Sequence, residues 1–321
     1  MHTYYKLAGF TLIELIMVII ITAILGTVIS RIISRPVEGF VDISRRAELV
    51  DIAEVSLRKM SREIRLALPN SVRLRSGVAT NLQSCVATGS TVCSVEILRT
   101  LDGGRYRFKT GGPGPPVCGG GLPGDNLDFT AGNDCFEILG NLDNLPVATA
   151  GAIQDDCLAG NVDCLVIYNT GQPSVCPAPP LPACLNAYCG CNIAGIQTAT
   201  ANAIKFDITG ANGVTRFPEQ ARSNRQRFHI VDMPVSFVCD PGAGTLSRQA
   251  GYAITPTQVS NPGGTVSVLA DNVTSCTFTY NQGTNSRSAL LTANLVISTI
   301  DTQGTTNAIN LIEQIQVPNV P

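Results

Sequence analysis

The sequence predicts an α+β protein, in which a long N-terminal helix packs on an antiparallel β-sheet and a disulfide-rich loop elaboration is added to the sheet. Three observations predict it. An apolar run from Phe10 to Ile33 is followed by apolar residues at helical spacing, and short alternating segments follow residue 69. All 12 cysteines lie in the later part of the chain, between Cys85 and Cys276.

The first element is a membrane helix over residues 10–33. About 24 residues at about 1.5 Å each give about 36 Å, enough to cross a hydrocarbon core of about 30 Å. A secretory signal peptide has its small-residue cleavage site after the apolar run, whereas Ala8 and Gly9 precede this one. A cut at these small residues would therefore leave the membrane helix attached to the protein.

Glu14 is an unusual residue for this run, because a carboxylate at mid-bilayer costs about 2.5 to 3.5 kcal/mol. A cut after Gly9 would free the α-amine of Phe10, one helical turn away on the same face. That amine, or the amine of a neighbouring chain, could neutralise Glu14. In the alternative interpretation, Glu14 only snorkels to the membrane surface.

The motif GFTLIE at residues 9–14, followed by the apolar helix, resembles the class III signal of type IV prepilins and type II secretion pseudopilins. The resemblance implies that 1–9 is a leader, that a prepilin peptidase cuts between Gly9 and Phe10, and that the new amine is methylated. It also implies that Glu14 is the assembly carboxylate, which pairs with this amine when subunits join. The implied fold is pilin-like.

The predicted topology is that of a single-pass protein of the bacterial inner membrane. Lys6 in the leader favours a cytoplasmic N-terminus, which places the following domain in the periplasm, with the surface pilus as a further location. An even number of cysteines confined to the exported part fits an oxidising compartment. The candidate disulfide cysteines are Cys85, Cys93, Cys118, Cys135, Cys157, Cys164, Cys176, Cys184, Cys189, Cys191, Cys239 and Cys276.

Short loops favour three local disulfides among these cysteines: Cys85 with Cys93, Cys118 with Cys135, and Cys157 with Cys164. Cys239 and Cys276 fall on the apolar phase of two alternating strands. We therefore expect them to bridge neighbouring strands of the core sheet.

The amphipathic half of the helix is predicted over residues 34–68 and ends before Pro69, because the residue before a proline avoids the α region. An apolar stripe recurs at helical spacing and needs a surface to pack on. Its members are Ile43, Ala47, Val50, Leu57, Met60, Ile64 and Leu68.

Residues 69–321 are predicted to form a periplasmic β-rich globular domain. The segment 94–110 predicts a hairpin, because Asp102-Gly103-Gly104 joins two strand-like runs. The further predicted strands are 164–168, 203–208, 227–231, 235–239, 276–280 and 290–300. Residues 111–202 contain two Pro- and Gly-rich stretches, and this Cys/Gly/Pro-rich part is interpreted as the loop elaboration.

A narrower resemblance covers most of the chain in order, and is weakest over 111–202. Four segments are similar to the O-type minor pilins of the mannose-sensitive haemagglutinin (MSHA) pilus. They are the helix at 41–74, the run LDGGRYRF, the run QRFHIVDMPVSFVCD and the ending IQVPNVP. That resemblance implies a minor pilin that helps begin or maintain the pilus. The implied partners are other minor and major pilins, the prepilin peptidase and the inner-membrane assembly platform.

No enzyme is predicted, since the chain has no P-loop, G-x-G-x-x-G turn after a strand, H-E-x-x-H or G-x-S-x-G motif. The strand histidine His229 is interpreted as structural. A net charge of −2 argues against nucleic-acid binding, although Phe217 and Phe228 flank a basic cluster that single-stranded DNA could use. That cluster consists of Arg216, Arg222, Arg225 and Arg227.

No cofactor or resident metal is predicted. The chain has no C-x-x-C pair, which disfavours zinc. The stretches GDNLDFTAGND (124–134) and QDDCLAGNVD (154–163) concentrate Asp and Asn, which makes calcium an alternative. Neither fits the twelve-residue calcium loop, and polar turns explain both.

Two functions of different classes remain open from the sequence. In the first, the helix bundles with other minor pilins through Glu14, and the domain primes a filament. In the second, residues 111–202 form an adhesive module at the pilus tip, with the aromatic residues Phe129, Phe136, Tyr168 and Tyr188 as candidate contacts. A type II secretion pseudopilin is a related alternative to the first.

Overall fold

The computed structural model describes residues 11–111, 118, 125–178, 184–223, 225–283, 288–300 and 304–319. Within these residues two α-helices are formed, α1 (Leu12–Arg65) and α2 (Gln154–Leu158). The strands are β1 (Arg73–Ser76), β2 (Ala79–Leu82), β3 (Ser84–Thr88), β4 (Cys93–Arg105), β5 (Asn133–Glu137), β6 (Cys164–Ile167), β7 (Ile193–Ala199), β8 (Ala203–Asp207), β9 (Arg227–Asp240), β10 (Thr245–Ala250), β11 (Thr265–Ala270), β12 (Val273–Asn281), β13 (Ala289–Ile300) and β14 (Thr306–Val317).

The strand pairing is antiparallel, as the sequence predicts, but the described strands form two sheets where the sequence predicts one. The large sheet has the order β2-β1-β4-β9-β6-β7-β8-β5, and β10 and β11 extend it beside the second half of β9. The small sheet has the order β14-β13-β12-β3. The chain is therefore α+β, with one long helix preceding a predominantly β domain.

The second half of α1 packs against the core that the two sheets share. Leu49, Ala53, Leu57, Met60 and Ile64 are buried there, next to inward-facing residues of β4, β9, β13 and β14. Their spacing of three or four residues keeps them on one helical face. Burial of this face fixes the domain to the helix.

Polar contacts support the same packing at the edges of the large sheet. The hydroxyl of Ser56 donates to the carbonyl oxygen of Leu269 in β11 at 2.6 Å. The guanidinium Nε of Arg248 in β10 donates to both carboxylate oxygens of Glu63, at 2.8 and 2.7 Å. Helix α1 thus covers the β10 and β11 side of the large sheet.

The predicted apolar stripe is wrong in its first part. Ile43 is 71% exposed, and Ala47 and Val50 are also exposed, whereas burial begins at Leu49. The helix projects beyond the domain before Leu49, which exposes Ile43 and Ala47, and Val50 lies on a side of the helix that the domain does not cover. The helix also ends at Arg65 rather than at residue 68, because the residues after it pair with β4: the amide of Leu68 donates to the Leu98 carbonyl oxygen at 2.8 Å.

The predicted hairpin at 94–110 is wrong. Strand β4 continues through Asp102-Gly103-Gly104 and pairs with β9 to its end. The two glycines allow a close approach between strands, since a Cβ on Gly103 would lie 2.9 Å from the Phe228 carbonyl oxygen and one on Gly104 would lie 3.0 Å from the Phe228 ring.

The predicted strands 227–231 and 235–239 are one strand, β9. Its first half pairs with β6 through residues 228–231, and its second half pairs with β10 through residues 235–240. Pro234 lies between these two ladders and pairs only with Leu98 of β4. A proline is tolerated inside this long strand because no partner on that side requires its missing N–H.

The twelve cysteines form six disulfides, and none is free. Two of these join the sheets face to face: Cys85 of β3 to Cys93 of β4, and Cys239 of β9 to Cys276 of β12. The second pair was expected between neighbours of one sheet, but the two cysteines lie on the facing inner surfaces of different sheets. The others are Cys118–Cys135, Cys157–Cys164, Cys176–Cys189 and Cys184–Cys191.

The region 111–202 is more regular than predicted. Strands β5, β6 and β7 and helix α2 lie in it, and the three strands continue the large sheet. An aromatic core accounts for this order, because one large ring from each of β5, β8 and β9 packs with three buried rings from segments outside the strands. These rings belong to Tyr106, Phe129, Phe136, Phe206, Phe217 and Phe228.

Candidate functional site

The first part of α1 is an apolar surface that the domain does not cover. Leu12–Ser30 spans 19 residues with a mean hydropathy of 2.8, and none of it is buried. At about 1.5 Å per residue this segment is about 28 Å long, close to the thickness of a hydrocarbon core. It is therefore long and apolar enough to cross a membrane.

Glu14 closes the N-terminal end of this helix through a capping box with Thr11. The backbone N–H and the hydroxyl of Thr11 each donate to the Glu14 carboxylate at 3.0 Å, and the Glu14 amide donates to the Thr11 hydroxyl at 3.3 Å. Gly9 and Phe10 lie outside the described residues. The carboxylate is thus held at the beginning of α1, next to the position at which processing would create an amine.

Thr11 is a contact of Glu14 that the sequence interpretation missed. The pattern T-x-x-E at residues 11–14 is the usual sequence signature of a capping box, and here it directly precedes an apolar run. The Glu14 carboxylate therefore accepts hydrogen bonds within its own chain.

Apolar side chains remain exposed on α1 beyond the membrane-length segment. Phe40 is 73% exposed and Ile43 is 71% exposed, and Val55 on the outer side of the packed half is 57% exposed. Isolated apolar residues on a surface are common, but these continue along one helix from an uncovered apolar segment. The surface is suited to contact with other helices.

The acidic loops considered for calcium use their carboxylates to bind backbone amides. Asp134 accepts from the amide of Asp128 at 2.8 Å, Asp155 from Ala211 at 2.9 Å, and Asp163 from Val147 at 2.6 Å. Burial raises the pKa of Asp134 and Asp163 above the usual range. Within the described residues, no three His, Cys, Asp or Glu side chains come together as a metal site.

The basic cluster lacks the aromatic surfaces that single-stranded nucleic acid would need. Phe217 and Phe228 are fully buried in the aromatic core. Arg222 lies with its guanidinium carbon 5.1 Å from the centre of the Phe129 ring, and so covers that core. The aromatic residues at the ends of the cluster therefore support the fold.

The aromatic residues considered for adhesion are also mostly internal. Phe129 is 2% exposed, Phe136 is not exposed, and Tyr188 is 5% exposed. Only Tyr168 is partly exposed. Three of the four side chains are thus unavailable to an external ligand.

His229 is held in β9 opposite Gly103 of β4, with its Nε2 atom buried and without a hydrogen-bond partner in the described part of the chain. Burial, with a smaller contribution from the nearby charge of Arg227, lowers the pKa of His229 to about 4. The imidazole is therefore neutral at physiological pH.

We expect the domain to lose stability as the pH falls below about 6.5, the ordinary histidine pKa, because the unfolded chain then binds a proton that folded His229 excludes. The loss grows until the pH reaches the folded pKa of about 4 and amounts to about 3 kcal/mol. Urea unfolding followed by circular dichroism at several pH values measures it. The variant His229→Leu should have a flatter profile over this range, and an unchanged profile would contradict the assignment.

Comparison with known protein families, curated proteins and solved structures finds no match for this chain. The proposed function is therefore supported by the residues and contacts of this chain itself.

Proposed function

We propose that this chain is a minor pilin that helps to initiate or maintain assembly of an MSHA-like type IV pilus. The observation that carries the proposal is the continuous helix α1, Leu12–Arg65. Its first part is apolar and uncovered, and its second part is built into the core of a disulfide-bonded domain. This division lets a chain be anchored in lipid while its domain stands outside the membrane.

In the proposed mechanism, a prepilin peptidase cuts between Gly9 and Phe10, and the new amine is methylated. Glu14 then pairs with a Phe10 amine, preferably that of a neighbouring subunit, when the helices bundle in the membrane. An ion pair favours bundling, because a lone carboxylate is costly in lipid. The exposed residues Phe40 and Ile43 extend the contact between helices outside the membrane.

The proposed location is the inner membrane, with the domain in the periplasm and the assembled pilus as its destination. Six disulfides in the domain support an oxidising compartment. The proposed partners are other minor and major pilins, the prepilin peptidase and the inner-membrane assembly platform. The role is structural and includes no catalytic step, cofactor or nucleic acid.

Assembly is favoured over tip adhesion because three of the four aromatic residues considered for an adhesive contact are buried. A type II secretion pseudopilin would share the anchored helix and the processing step. The resemblance to O-type minor pilins supports the pilus in preference to the secretion system.

Processing is expected to remove residues 1–9 and to add one methyl group to the amine of Phe10. The measurement is the intact mass of the protein purified from cells that contain a prepilin peptidase, compared with cells that lack it. A Gly9→Val variant should remain uncut in both. An uncut wild-type chain in the presence of the peptidase would refute the proposal.

A further inference from the structure

A cleft of about 230 Å³ lies where three parts of the domain meet. Its walls come from the segment around β1 and β2, from the described parts of the disulfide-bonded segment (171–178 and 184–188), and from the end of β12. The volume corresponds to about eight water molecules. It is therefore large enough for one small ring-shaped ligand.

Side-chain amides hold these walls together. The Nδ2 of Asn70 donates to the Asn169 carbonyl oxygen at 2.9 Å, and the Nδ2 of Asn81 donates to the Ser174 carbonyl oxygen at 2.8 Å. Gly171 lies so close to Asn70 that a Cβ would be 2.7 Å from its carbonyl oxygen. The disulfide-bonded segment is thus fixed against the sheet, and the cleft between them is part of the fold.

Several polar groups that line the cleft have no partner within the described residues. The side-chain amides of Gln83, Gln172 and Gln282 make no hydrogen bond there, and the Oδ1 atoms of Asn70 and Asn81 accept none. The three glutamine side chains are exposed, so water satisfies them in the free protein. The hydroxyl of the lining residue Tyr280, in contrast, is buried without a partner among the described residues, whereas buried polar groups are normally paired. Amides are thus available to a ligand at several points of the wall.

The cleft offers no free charge. Arg73 is the one charged residue among its described lining, and its guanidinium makes four hydrogen bonds within the protein. It donates to both carboxylate oxygens of Glu96, at 3.0 and 3.1 Å, and to the carbonyl oxygens of Thr255 and Pro256, each at 3.0 Å. A charged ligand would therefore enter the cleft without an ionic partner and lose its hydration.

We propose that this cleft binds an uncharged polyhydroxylated ligand, a neutral saccharide. Each glutamine side chain carries both a donor and an acceptor, and so matches the hydroxyl groups on neighbouring carbons of a sugar ring. The absence of free charge in the lining selects against sugar acids and amino sugars. This binding site is independent of the assembly role and lies far along the chain from Glu14.

The test uses the full-length protein in lipid nanodiscs, because many detergents carry sugar headgroups. Saturation-transfer NMR is recorded with glucose, galactose, mannose and N-acetylglucosamine, and with glucuronate and glucosamine as charged probes. We expect at least one neutral sugar to bind at concentrations up to about 10 mM and the charged probes not to bind. Failure of every neutral sugar, or equal binding of the charged probes, would overturn the proposal.

The paired variant Gln83→Ala with Gln282→Ala should weaken binding about tenfold or more, because both amides would lose their hydrogen bonds to the ligand. Both side chains are exposed, so the melting temperature should not change. The control is Gln314→Ala with Gln316→Ala, which removes two exposed amides from β14, outside the cleft. Unchanged affinity in the first variant, or an equal loss in the control, would show that the cleft is not the binding site.

Discussion

The Glu14→Val variant is expected to insert into the membrane and to be cut normally, but to support pilus assembly at least about tenfold less well than wild type. Valine suits the lipid and leaves Gly9 and Phe10 in place. In the proposed mechanism the variant removes the partner of the α-amine. This pairing offsets a cost of about 2.5 kcal/mol or more for a charge in lipid. Pili are counted by electron microscopy, and membrane insertion and cleavage are followed by immunoblot.

The matched control is Glu14→Gln, because the capping box gives Glu14 a second role. A glutamine can still accept a hydrogen bond from Thr11 at the beginning of α1, but it carries no charge. If the charge is what assembly needs, the glutamine variant should fail like the valine variant. Normal assembly with glutamine would show that capping suffices and that the pairing mechanism is wrong.

Removing the Cys239–Cys276 disulfide is expected to lower the free energy of unfolding by about 4 kcal/mol. This bond joins β9 of the large sheet to β12 of the small sheet across 37 residues, and longer closed loops restrict the unfolded chain more strongly. Both cysteines are buried, so Cys239→Ala with Cys276→Ala is the suitable variant. Urea unfolding under oxidising conditions measures the change.

The control for this prediction is the removal of Cys157–Cys164, which closes a loop with a separation of only 7 residues. The same loop-closure relation gives about 2.5 kcal/mol for this bond. It lies beside α2 and β6, away from the contact between the two sheets. If both variants lost the same stability, the sheet-to-sheet disulfide would have no special weight in the fold.

Hydrophobic periodicity predicted the elements that form from the pattern of their own residues. The long apolar helix and the strands beginning near Cys164, Ala203 and Leu290 follow from spacing and alternation alone. The pairs Cys85–Cys93, Cys118–Cys135 and Cys157–Cys164 follow from short loops between cysteines. In each case the determining interaction is local.

The errors occur where a distant partner decides the structure. Gly103 and Gly104 have the composition of a turn, but the carbonyl group and ring of Phe228 require residues without a Cβ within a strand. The predicted strands 227–231 and 235–239 lie on either side of Pro234, but β9 changes partners at that point and continues. The pairing of Cys239 with Cys276 across sheets likewise depends on how the sheets face each other.

At the candidate site, the sequence singled out Glu14 but did not predict its contacts. The hydrogen bonds from Thr11 could have been expected from the spacing T-x-x-E. The amide-lined cleft could not have been, because Gln83, Gln172 and Gln282 are far apart in sequence and meet only in the folded domain.

The most direct test of the proposed role in assembly is a count of surface pili by electron microscopy in a strain that lacks this protein. The intact gene is restored as the control. If the protein begins or maintains the filament, pili should vanish or become few in this strain, and the restored gene should recover them. Pili of normal number that no longer attach to surfaces would contradict the assembly role and favour adhesion.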